Sequence, residues 1–151
     1  MSKVDMSVFE DVLEVYQGDS LSEMLYIMCE GDFRVELPTF KKRPEYPRFS
    51  LKESDPELYE KMNTEYSEIR DYNNSLQDKY LSSIGYKHLE QEGGGTGGAE
   101  ECHGVFSLKG KYYRCHYLYY SYNGHEYNYI EDTIEEVEPF EKTVTMYRSV
   151  K

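Results

Sequence analysis

The chain contains no apolar run approaching the ~20 residues that a membrane span requires. Its longest, Met24-Leu25-Tyr26-Ile27-Met28-Cys29, is far too short. The opening residues, MSKVDMSVFEDV, lack the basic and apolar regions of a secretory leader. Three cysteines in 151 residues are too few, and odd in number, for a disulfide framework, which points to a reducing compartment. These absences predict a soluble protein working in the cytoplasm. Basic residues are also scarce: 17 Lys and Arg stand against 29 Asp and Glu, for a net charge of −12. Such a chain is repelled by nucleic acid and by anionic membranes, but attracted to proteins that bind nucleic acid. The plainer alternative is an acidic protein whose charge serves only solubility.

Catalytic signatures are missing too. There is no G-x-S-x-G, no H-E-x-x-H and no GK[ST] of a phosphate loop. Gly93–Gly98, GGGTGG, formally fits G-x-G-x-x-G, but a dinucleotide site needs a strand before the motif and a helix after it. Here Glu90, Glu92, Glu100 and Glu101 flank the glycines and a sheet is expected to follow. A flexible flap or linker is the better reading. No cofactor and no enzymatic activity are expected.

Tyrosine, by contrast, is abundant. Eight of the 17 lie in Gly110–Tyr129, GKYYRCHYLYYSYNGHEYNY. Asn123-Gly124 between aromatic runs signals a two-residue hairpin, since a type I′ turn needs positive φ at both central residues. That turn pairs Tyr122 with His125, Tyr120 with Tyr127 and Leu118 with Tyr129. Lys109-Gly110 closes a second turn, pairing Leu108 with Lys111 and Phe106 with Tyr113. The outcome is a meander over about 101–108, 111–122 and 125–130. Alternation puts Tyr112, Arg114, His116, Leu118, Tyr120, Tyr127 and Tyr129 on one face. Phe106, Tyr113, Cys115, Tyr117, Tyr119 and Ile130 take the other. Both faces are aromatic, so the pattern leaves open which one looks inward.

Elsewhere, Phe9, Val12, Leu13 and Tyr16 at helical spacing predict a helix over 7–17. Ser20-Leu21-Ser22-Glu23 reads as a capping box that opens a second helix over 20–30, ended by Gly31. FRVEL alternates as a strand over 33–37. PTFKKRPEYPRF follows as an irregular loop holding the basic cluster Lys41, Lys42, Arg43 and Arg48. Ser54-Asp55-Pro56-Glu57 starts one long helix over 54–84. Its buried stripe is predicted as Leu58, Met62, Tyr66, Ile69, Tyr72, Leu76 and Tyr80. At about 45 Å that helix is longer than packing in so small a domain needs, so it protrudes or pairs with another copy. On its opposite side Glu57, Glu60, Thr64, Glu68, Asp71, Ser75 and Asp78 form a line whose members lie about 5–6 Å apart, near the spacing of successive phosphates. A plain solvated helix face is the alternative. EDTIEEVEP reads as a short helix or irregular edge, and TVTMY over 143–147 as a terminal strand beside the meander.

The fold class is therefore α+β in a single domain over 1–151. A helical hairpin, short strand and proline-rich loop fill 1–50, the long helix 54–84, and a small antiparallel sheet region 86–151. Cys102-His103 and Cys115-His116 repeat one dipeptide on adjacent strands. The register sets His103 opposite His116 but sends both cysteines to the other face, and four zinc ligands must converge on one point. Metal binding by His103 and His116 is thus the lesser alternative to ordinary packing.

YLYYSYNGHEYN and VEPFEKTVTMY, with the glycine run before them, resemble the C-terminal part of small uncharacterised accessory proteins of large tailed bacteriophages. The similarity covers roughly residues 90–147 and carries turn and strand residues, so no functional residue transfers from it. It implies a setting, the cytoplasm of an infected bacterium, where such proteins often bind a host factor. The expected function is an acidic, DNA-mimicking inhibitor of a host or anti-phage defence protein that handles nucleic acid. Glu57, Glu60, Glu68, Asp71 and Asp78 would stand in for phosphates, with Tyr120, Tyr122 and Tyr127 as anchors. A small-molecule or nucleotide-binding module or enzyme using the tyrosine-rich face with His103 and His116 is the second reading. A phage structural or assembly component is the third.

Overall fold

Lys109 and Gly110 adopt φ values of 50° and 82°, the pair of positive angles that a tight hairpin turn demands. They join β2 (Ala99–Leu108) to β3 (Lys111–Tyr120). The register is the expected one, with Leu108 beside Lys111, Phe106 beside Tyr113 and His103 beside His116. The computed structural model describes residues 4–16, 18, 20–93, 99–120, 124–127 and 129–150. The antiparallel sheet runs β1-β2-β3-β4, where β1 is Lys87–Glu92 and β4 is Gly124–Glu126. A fifth strand, β5 (Glu135–Val137), pairs with β3.

Which face is buried is decided by helix α2 (Leu21–Glu30). It lies on the side carrying Cys102, Gly104, Phe106, Tyr113, Cys115 and Tyr117. A methyl on Gly104 would come 2.6 Å from the Cys29 carbonyl oxygen and 2.8 Å from its Cα, so glycine alone lets the helix approach this closely. Met24, Leu25 and Met28 fill the interface, joined by Phe9 and, from α1 (Glu10–Val15), Val12. The Phe9 ring sits 5.4 Å from that of Tyr113 and 6.3 Å from that of Phe106. Each such fully buried side chain contributes about 1.5–3 kcal/mol. Tyr86 and His88 fasten the end of α2 by donating to the carbonyls of Met28 and Cys29, both at 2.9 Å.

Burial sets the chemistry of these tyrosines. Desolvation, then the nearby Glu30 carboxylate, pushes the Tyr26 hydroxyl up to about 12 from the ordinary 10.0. Desolvation also raises Tyr86, and Tyr117 further still because its hydroxyl donates to Glu30 at 2.8 Å. A raised acid favours the neutral form in the folded chain, so its stabilising contribution is complete below pH 10 and is lost as pH climbs beyond it. In an alkaline absorbance titration these phenols should ionise late, in one step that coincides with unfolding. A smooth titration of all tyrosines near pH 10 would contradict this packing.

Several elements depart from the sequence reading. The second hairpin pairs Tyr120 with Gly124, Tyr119 with His125 and Leu118 with Glu126, three residues out of the expected register. Gly124 has φ 71°, and residues 121–123, including the Asn123 of the expected turn, lie outside the described set. An odd shift reverses the faces, so Tyr127 belongs with the buried side. TVTMY forms no strand: 138–150 has no regular structure, and Val144 and Met146 are 66% and 86% exposed. The reason lies in β3, whose second edge is already used. β4 takes 118–120 and β5 takes 112–114. Between them, the Thr133 hydroxyl accepts from the His116 N–H at 2.9 Å and has its one proton between the carbonyls of Ile130 at 2.7 Å and His116 at 3.1 Å. The strand thus comes from the segment read as a short helix or edge, of which only α5 (Ile130–Thr133) is helical.

FRVEL contributes a single bridge, Tyr16 to Val35. The Val35 N–H donates instead to the Gln77 side chain at 3.0 Å, which removes it from any ladder. The first helix is split into a 3-10 turn, Met6–Phe9, and the short α1. In the capping box Ser20 accepts from the Glu23 N–H as expected, but the Glu23 carboxylate is taken by the Tyr16 hydroxyl at 2.6 Å. α3 (Leu51–Ser54) precedes α4 (Pro56–Ser83), whose cap is Asp55, accepting from the Leu58 N–H. Of the expected stripe on α4, Met62, Tyr66, Ile69, Leu76 and Tyr80 are half-buried while Leu58 and Tyr72 are exposed, and Asn73 is the helix's one buried residue among those described. No described helix is long and apolar enough to cross a membrane.

Candidate functional site

α4 is held against the rest of the chain by amide side chains more than by a hydrophobic seam. Asn73 clasps the Lys41 backbone twice, accepting from its N–H and donating to its carbonyl, both at 2.9 Å. Tyr66 meets Tyr46 edge-on with ring centres 4.9 Å apart, and the Lys41 ammonium sits 4.2 Å above the Tyr72 ring. Together with the Gln77 bond to Val35, these contacts lay the proline-rich segment along the helix. They also use much of the face that the sequence offers to a second copy, leaving Leu58 41% exposed beyond them.

The other side of α4 is turned to solvent. Glu57, Glu60, Thr64, Glu68, Asp71, Ser75 and Asp78 are all exposed. At 100° per residue they share one edge of the helix, which over 28 residues runs about 42 Å. Among the described residues, only Asp71 has an ion-pair partner, Arg70 at 3.3 Å, and that pair is itself exposed. Lys61 and Lys79 border the line one position round the helix. An open hollow is lined by Glu57, Glu60, Lys61, Thr64, Glu65 and Glu68. Glu65, absent from the sequence expectation, flanks the line at the next angular position.

The proposed tyrosine anchors are not gathered with these carboxylates. Tyr127 stacks on Tyr26 of α2, with ring centres 4.6 Å apart and planes 8° from parallel. Tyr26 in turn meets Tyr117 edge-on at 5.2 Å. The Tyr120 side chain and the whole of Tyr122 lie outside the described residues.

The outer sheet face is a second polar surface. Glu92, His103 and His116 form one row across β1, β2 and β3, with the two imidazole rings 6.0 Å apart. His103 Nε2 lies 3.0 Å from Glu90 and 3.8 Å from Glu92. His116 lies 3.5 Å from Glu101 and 3.6 Å from Glu135. Arg114 holds Glu135 at 2.7 Å, and its hydrogen bond keeps that carboxyl below the usual glutamate range. The sequence placed the two histidines correctly but missed these four glutamates. Glu90 and Glu92 depended on β1, whose KHLEQE shows no clean alternation and whose register shifts at a bulge between His88 and Glu90.

Cys102 and Cys115 are buried on the inner face, as the pleat required, and their thiols are pushed up. Burial is the main cause for Cys102 and the hydrogen bond with Cys29 for Cys115, so neither is an activated nucleophile. A hollow of about 240 Å³ opens between β3, β4 and α5, lined by Leu118, Tyr129, Ile130 and Thr133, with Glu101, His116 and Glu126 also on its wall. Compared with family models, curated proteins and solved structures, the chain matches none.

Proposed function

We propose that this protein is an acidic inhibitor, phage-encoded, that binds a host or anti-phage defence protein and blocks its basic nucleic-acid-binding groove. The observation that carries the reading is the solvent-facing line of carboxylates on α4, Glu57, Glu60, Glu68, Asp71 and Asp78. It is backed by a helix whose opposite side is docked on the chain's own 35–47 segment. A regular helix keeps the carboxylates at fixed spacing, so little order has to be imposed on binding. Their field, part of a net charge of −12, steers a basic partner toward this edge. The outer sheet face, with Glu90, Glu92, Glu101, Glu126 and Glu135, is a second acidic surface. Tyr129, 70% exposed, is better placed than Tyr127 to anchor a partner.

Affinity capture from bacterial lysate tests the reading. The captured protein should be one that handles nucleic acid, and its retention should fall steeply between about 50 and about 200 mM salt. Retention indifferent to salt would point away from charge. A small-molecule reading has narrower support in the hollow beside His116 and Tyr129. It is favoured only if purified protein carries a bound ligand in native mass spectrometry.

A further inference from the structure

We propose that Glu90, Glu92 and His103 form a binding site for a divalent transition-metal cation of the zinc class. One oxygen from each carboxylate and the imidazole nitrogen all lie within 4.8 Å of one another. The distances from His103 Nε2 are 3.0 Å to Glu90 Oε1 and 3.8 Å to Glu92 Oε2. Zinc bonds of about 2.0–2.2 Å at tetrahedral angles set neighbouring ligand atoms roughly 3.3–3.6 Å apart. The two separations from His103 bracket that spacing, and the carboxylate oxygens, within 4.8 Å of each other, are close enough for side-chain rotation to complete the set.

The backbone presents the ligands together. Glu90 and Glu92 are two apart on β1 and share its outer face, while His103 on β2 is the direct cross-strand partner of Glu92. Both carboxylates converge on a single ring nitrogen. One N–H donates one good hydrogen bond, here to Glu90, which leaves the second carboxylate facing the first with its charge unanswered. Among the described residues neither glutamate has a Lys or Arg partner; Arg114, two strands from Glu90 in the same row, is engaged by Glu135. A cation between the three groups answers both negative charges. An imidazole nitrogen in the set selects zinc, nickel or cobalt over the oxygen-preferring magnesium and calcium. Three protein ligands leave one position for water or an incoming donor. The site ties β1 to β2 beside the glycine run, and is independent of α4.

Titration of the metal-free full chain with zinc chloride, followed by calorimetry and by the histidine ring resonances, tests this. The expected result is one equivalent bound, with the His103 signals moving and those of His88 unmoved. His103→Gln and the double variant Glu90→Gln/Glu92→Gln should each weaken binding by at least about tenfold. Magnesium at equal concentration should leave the spectrum unchanged. Glu90 and Glu92 are exposed and His103 is half-buried on the outer sheet face, so the variants should melt close to the metal-free wild type, and that melt checks their folding. No saturable binding up to about 1 mM zinc, or equal binding by His103→Gln, overturns the site. So does binding that is lost in His116→Gln but kept in His103→Gln.

Discussion

Replacing Glu57, Glu60, Glu68, Asp71 and Asp78 together by lysine should reduce binding to a basic partner on the order of a thousandfold, with little change in melting temperature. The positions are exposed, and among the described residues only Asp71 makes an ion pair, with its exposed neighbour Arg70; such pairs contribute about 0–1 kcal/mol. Five reversals, each worth two charges, take the net from −12 to −2. Opposed like charges at an interface cost several kcal/mol, and each 1.4 kcal/mol is about tenfold in affinity. Partner binding by surface plasmon resonance and thermal unfolding of the same preparation separate the two quantities. Unchanged affinity would remove α4 from the interface. It would leave open an inhibitor that works through the outer sheet face.

Gly104→Ala should destabilise the fold by about 3 kcal/mol, in the upper range for overpacking a close contact. The added methyl would press on Cys29 backbone atoms, which cannot swing aside as a side-chain tip can. Either α2 lifts from the sheet or β2 bends, and Met24, Leu25, Met28 and Phe106 lose packing with it. For a chain of this length the melting temperature should fall by about 10 °C, measured by circular dichroism. A fall under about 2 °C would mean that α2 does not cross the sheet at Gly104.

Legibility in the sequence followed the range of the interaction. Lys109-Gly110, Ser20 and the Ser54–Glu57 run specify a turn and two helix starts within four residues of themselves, and all three formed, the last with Asp55 as its cap and α4 opening at Pro56. The acidic line on α4 was equally legible, because helix periodicity alone fixes which side chains share an edge. Long-range choices were not. Gln77 captures the Val35 N–H from 42 residues away, and no local pattern in FRVEL announces the loss of its strand. TVTMY was expected beside the meander, but the open edge of β3 between 112 and 120 is filled by β5, Thr133 and β4 before the chain reaches residue 143. At the second hairpin a register three residues away reverses the faces of residues 124–127, which moved Tyr127 from proposed anchor to packing partner of Tyr26.

One unused signal would have settled the buried face. Cys102, Gly104 and Cys115 make a small-residue patch on one side of the meander, the side that a helix can approach closely. The glutamates around His103 needed β1, an edge strand whose charged residues suit an edge and hide it from an alternation search.

The most direct test of the central claim is paired affinity capture. Wild-type protein and the five-lysine variant are immobilised side by side, exposed to the same bacterial lysate, and washed at about 50 and about 200 mM salt. The account predicts a nucleic-acid-handling protein on the wild-type column at low salt, released at high salt or by added duplex DNA, and absent from the variant. Equal retention of that protein on both columns, at both salt concentrations and in the presence of DNA, would contradict it.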